Sequence, residues 1–83
     1  MNEFDKRAIG RVIRTLRKER DLSQEVLSGL AGIGRSHLAM IESGKKNVNF
    51  ETMWKISYAL GVDPHVLVKK IEADIEAHND ITD

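Results

Sequence analysis

Arg35, Ser36, Ala39 and Met40 lie in "GRSHLAMIESG", Gly34 to Gly44, and at helical spacing they share one outward face. A helix on a protein surface ordinarily shows solvent a run of Lys and Glu. This face carries no Asp or Glu, and its groups are short or forked. A guanidinium fork matches guanine O6 and N7, a serine hydroxyl donates to a base or a phosphate, and a methionine presses on a thymine methyl. Ala39 keeps the face low enough to approach. The chemistry on offer is the reading of base edges in duplex nucleic acid, with His37 as a phosphate neighbour.

Catalytic chemistry is not on offer. His37, His65 and His78 are scattered without metal-ligand spacing, and no nucleophile–base pairing or glycine-rich phosphate loop is present. Gly29, Gly32 and Gly34 fall on a helix and its turn rather than after a strand, so they form no dinucleotide fingerprint. The chain contains no cysteine, which removes disulfides and thiolate metal sites. The expectation is a protein that is not an enzyme and needs no metal, no cofactor and no small-molecule ligand.

Elements must position that face. Apolar residues recur with helical spacing along the whole chain, and no segment alternates with period two. The first helix is expected from about Glu3 to Arg20, with Ala8, Ile9, Val12, Ile13 and Leu16 as its buried stripe, ending at Asp21 in a left-handed conformation. Ser23 caps a second helix, Gln24 to Ala31, with Leu27, Leu30 and Ala31 inward. Gly32 supplies the bend and Ile33 returns to the core. Gly34 opens the third helix, Leu38 and Ile41 point inward, and Gly44 stops it. After the polar loop "KKNVN", Asn49 caps a fourth helix over Phe50–Leu60, ended by Gly61. Asp63-Pro64 opens a fifth, along Leu67, Ile71 and Ile75 to about Ala77. The fold class is therefore all-α: one domain over residues 1–77, with an acidic tail at 78–83 that frays.

Eighty-three residues with 41% hydrophobic content suffice for one small core. No apolar run is long enough to span a bilayer and the N-terminus is not a signal peptide, so the expected location is the cytoplasm. Net charge is zero, but it is unevenly placed. Residues 1–48 hold ten Lys/Arg and six Asp/Glu, a balance of +4, while residues 49–83 hold three Lys and seven Asp/Glu, a balance of −4. The basic half contains the odd helix.

Two helices joined by about three residues with a glycine at the bend form a helix-turn-helix, whose second helix enters the major groove. "LSQEVLSGLAGIGRSHLAMIESGKKNVNFETMWKISYALGV", Leu22 to Val62, resembles the phage Cro/repressor-like (XRE-type) helix-turn-helix family of bacterial transcriptional regulators. The matching marks are Leu22-Ser23-Gln24-Glu25, Leu27, Ala31-Gly32-Ile33, Leu38, Ile41-Glu42, Gly44, Asn47, Thr52, Ile56 and Ala59-Leu60-Gly61-Val62. Within the family, the size and the "KKNVN" loop look like controllers of restriction–modification systems. Four positions depart from the family pattern: Asp21, Ser28, Gly34 and Val48 stand where Gly, Ala, Ser/Thr and Pro are usual.

The resemblance implies a five-helix, lambda-repressor-like DNA-binding domain that reads a (pseudo)palindromic operator as a homodimer. It implies that Gln24 holds the DNA backbone beside Ser23, where the helix dipole favours phosphate. Ser43, Lys45, Lys46 and Asn47 follow the reading helix and flank the sugar–phosphate rail. It also implies an ion pair between Arg17 and Glu42 that orients the third helix. Trp54 and Tyr58, one helical turn apart, and Val66 are surplus to the inward stripes and mark a dimer surface on the fourth and fifth helices. A competing reading is an antitoxin or adaptor that binds a protein through the fifth helix and the acidic tail, Glu72, Asp74, Glu76, Asp80 and Asp83.

Overall fold

A computed structural model describes residues 3–79. Its elements are α1 (Arg7–Glu19), α2 (Gln24–Ala31), α3 (Arg35–Glu42), α4 (Phe50–Leu60) and α5 (Pro64–Asn79), and no strand occurs among the described residues. The ends of α2 and α4 follow from local chemistry. Ser23 Oγ accepts the amide of Val26 at 3.1 Å, and Asn49 Oδ1 accepts that of Thr52 at 2.8 Å. Gly32 and Gly61 take φ of 71° and 76°, which lets the next amides, of Ile33 and Val62, reach back to Ser28 and Ser57 carbonyls. Asp21 ends the first helix at φ 55° without being glycine.

The structure departs from the sequence expectation at three places. Helix α1 starts at Arg7, not near Glu3, because the Asp5 carboxylate accepts the amide of Arg7 at 3.0 Å and fixes the start there. That bond, with the Arg7 and Arg11 side chains, holds the Asp5 carboxyl below its ordinary range. Leu30 is 63% exposed rather than inward; Leu27 and Ala31 alone fill the inner face of the short α2. Helix α5 continues past Ala77 and takes in His78 and Asn79. The remaining tail residues, 80–83, lie outside the described residues.

The core gathers the α1 stripe with Leu27, Leu38, Ile41, Ile56 and Leu67, the last five essentially without exposure. Helix α1 packs on α3 and α5, and α2 on α3 and α4. Burial of a side chain such as Ile13 or Leu38 stabilises by about 1.5–3 kcal/mol. At Gly10 the backbones of α1 and α3 nearly touch: a Cβ there would collide with the carbonyl oxygens of Ile41 and Glu42. Buried polar groups are satisfied. Ser28 Oγ donates to the Glu25 carbonyl and Ser57 Oγ to that of Trp54, and among the described residues no buried side-chain N or O lacks a partner.

Candidate nucleic-acid interface

Helix α3 is held from below and left bare above. Leu38 and Ile41 are fully buried, whereas Arg35, Ser36 and Met40 are exposed and His37 and Ala39 half-buried. Gly34, at φ −70° and ψ 146°, turns the chain into the helix without a side-chain cap. The base-reading set proposed from sequence, Arg35, Ser36, Ala39 and Met40, therefore lies on the accessible side of the helix. Behind it, Ser43 Oγ donates to the Met40 carbonyl at 3.1 Å, and Lys45, Lys46 and Asn47 are exposed.

Charge sorts along this surface. Arg7, Arg11 and Arg17 are neutralised by Asp5, Asp74 and Glu42. Arg35, Lys45 and Lys46 are exposed and have no ion-pair partner among the described residues, as is true also of Arg14 and Lys18 of α1. At the start of α2, Ser23 satisfies the Val26 amide and leaves those of Gln24 and Glu25 as the orphan donors of the helix. Such amides at the positive end of the helix dipole suit a phosphate.

The fixed frame of the site is a buried cluster. Arg17 Nε lies 2.7 Å from Glu42 Oε2 and Arg17 Nη2 lies 2.9 Å from Oε1, a forked pair joining α1 to the last residue of α3. The hydrogen bonds to Glu42 push the Arg17 guanidinium above its ordinary pKa against the cost of burial. Arg17 Nη1 also donates to the Leu22 carbonyl at 2.8 Å, and Gln24 Nε2 donates to Glu42 Oε1 at 3.0 Å. One carboxylate thus draws α1, α2 and α3 together.

A second surface lies on α4 and α5. Phe50, Trp54 and Tyr58 stack along α4, with ring centroids 6.2 Å apart edge-on for the first pair and 5.8 Å apart for the second. All three are exposed; Val68 is also exposed, while Val66 is half-buried. Phe50, Trp54, Pro64, His65 and Val68 line one apolar depression of this face, and Leu30 and Tyr58 edge the next. Reading the sequence alone missed Phe50, Leu30 and Val68, although the i, i+4, i+8 spacing of 50, 54 and 58 carried the signal. It missed Arg11 as well, whose Nη2 binds Asp74 Oδ1 at 2.6 Å across α1 and α5. That pairing commits Asp74, one of the acids offered for a protein partner; Asp80 and Asp83 lie outside the described residues. Among the described residues no group of His, Cys, Asp and Glu could hold a metal ion, and no helix is long and apolar enough to cross a membrane.

A family model described as helix-turn-helix matches residues 13–67. Control protein C.MunI of Mycoplasma sp is 37% identical over 75 residues, covering 89% of this chain and all of that one. The restriction–modification controller protein C.AhdI of Aeromonas hydrophila superposes with a TM-score of 0.74 at 36% identity, covering 76% of this chain and 96% of that one. The controller C.Esp1396I, solved as a tetramer in complex with its natural 35 base-pair operator, has a TM-score of 0.81 at 23% identity, covering 88% and 96% of the two chains. That last likeness is one of fold.

Proposed function

Since this chain belongs to the helix-turn-helix family, we propose that it is a sequence-specific transcriptional regulator that reads double-stranded DNA in the major groove. Helix α3 enters the groove. Arg35, Ser36, Ala39 and Met40 meet base edges, while Ser23, Gln24, His37, Ser43, Lys45, Lys46 and Asn47 hold the backbone on either side. The observation that carries this reading is the accessible face of α3, free of carboxylates and flanked by unpaired cations on a rigid frame. The protein acts in the cytoplasm and needs no cofactor.

One α3 covers about half a site, so two copies bind a palindrome with their reading helices ~34 Å apart. Trp54 and Tyr58, joined by Phe50 and Val68 beside the expected Val66, form an apolar face suited to that homodimer. Occupancy of the operator then follows protein concentration through dimerisation. Similarity to C.MunI and C.AhdI supports a controller-type role, and the DNA upstream of the protein's own gene is the first candidate operator.

Fluorescence titration tests the reading. Upstream DNA should bind much more tightly than random duplex, and more tightly at low salt than at high. Equal affinity for both DNAs would contradict sequence reading.

A further inference from the structure

Glu42 is 3% exposed in its side chain and accepts three hydrogen bonds, two from Arg17 and one from Gln24. A carboxylate can only accept. The end of the Gln24 amide that faces it is therefore the nitrogen, and the orientation of that amide is fixed by chemistry. Gln24 is the first residue of α2, half-buried, at the positive end of the helix dipole. Its Nε2 carries two N–H groups. One is committed to Glu42 at 3.0 Å; the other is the side-chain donor left for an incoming phosphate oxygen. Arg17, anchored in turn on the Leu22 carbonyl at 2.8 Å, keeps the carboxylate from swinging to meet solvent.

We propose that Glu42 is a positioning residue for DNA binding: it fixes the Gln24 amide nitrogen for a backbone phosphate, with Arg17 holding Glu42 in place. The inference rests on the DNA-binding reading above. It assigns to the last residue of the recognition helix a task on the neighbouring helix, separate from orienting α3 itself. A side chain ordered before binding loses less rotamer freedom on contact. A phosphate contact carries no base information, so the effect should be equal on every duplex.

A double-mutant cycle tests it, with two short fluorescent duplexes as probes, one of upstream sequence and one random. Gln24→Ala is measured in the native background and in Arg17→Met/Glu42→Leu, which replaces the whole ion pair by apolar groups and so leaves no unpaired buried charge. In the native background the expected loss is about 3- to 10-fold on both duplexes. In the apolar background that loss should already be present, and Gln24→Ala should add nothing. The ratio of the two affinities should stay constant throughout; a lower ratio in the apolar background would mean that the pair acts by orienting α3 and would overturn the proposal. If the apolar pair does not fold, Glu42→Asp serves instead. It keeps a charge opposite Arg17, withdraws the carboxylate by one methylene, and should bring the same loss. An equal Gln24→Ala loss in both backgrounds, or in Glu42→Asp, overturns the proposal alone. Failure of the native protein to bind either duplex overturns the DNA-binding reading and the proposal with it.

Discussion

Arg17 and Glu42 meet as a forked ion pair, 2.7 and 2.9 Å, with side-chain exposures of 10% and 3%. They stand 25 residues apart, one in α1 and one at the end of α3. Removing one partner leaves a buried charge, which costs about 3–5 kcal/mol, whereas removing both is far cheaper. Arg17→Met should therefore lower the melting temperature by about 12 °C or more. Arg17→Met/Glu42→Leu should recover most of that loss. Scanning calorimetry of the two variants checks this; an unshifted Arg17→Met would show that the pair contributes nothing.

Two glycines in helices should respond with opposite signs. Gly10→Ala forces a methyl against the carbonyls of Ile41 and Glu42 and should destabilise by about 1–3 kcal/mol. A Cβ at Gly29 meets nothing, so Gly29→Ala should stabilise by up to about 1 kcal/mol through helix propensity. Urea unfolding of both variants measures the difference.

Trp54→Asp should shift the protein toward monomer by placing a charge on the apolar face of α4. Sedimentation velocity over a dilution series reads this directly. A native protein that stays monomeric at every concentration would remove the proposed homodimer.

Acid should erode one specific interaction. Asp5 has its folded pKa lowered by the Arg7 amide, so its stabilising contribution is complete above the ordinary value of 3.8 and is lost as the pH falls through the folded value. The stability difference between the native chain and Asp5→Asn should be constant at neutral and mildly acidic pH. It should shrink below about pH 4. Melting curves between pH 6 and pH 2.5 decide it, and a gap that widens on acidification would contradict the assignment.

What the sequence disclosed was what is decided locally. Ser23 and Asn49 as caps, and Asp21, Gly32 and Gly61 as the residues that end helices, depend on residues three or four positions away. The α1 stripe and the inward Leu38 and Ile41 follow from periodicity. The start of α1 was misread because the aspartate that fixes it lies two residues before the first helical one, inside an otherwise helix-compatible run. Leu30 was misplaced because an eight-residue helix has room for only a narrow inner stripe, and Leu27 with Ala31 completes it. Arg11 and Asp74, 63 residues apart, gave no local sign of each other. Neither did the hydrogen bond from Gln24 to Glu42, which depends on how three helices converge.

Arg35 is the residue through which α3 most directly meets base edges. Native protein and Arg35→Ala should be titrated into labelled upstream DNA and into random duplex at two salt concentrations. Native protein should bind the upstream DNA tightly and with strong salt dependence, and the variant should lose about 1–3 kcal/mol of discrimination. Lys45→Ala, run beside it, should lower the log–log salt slope by about 0.9 while sparing selectivity. If Arg35→Ala keeps the native preference for upstream DNA, α3 does not read bases through Arg35.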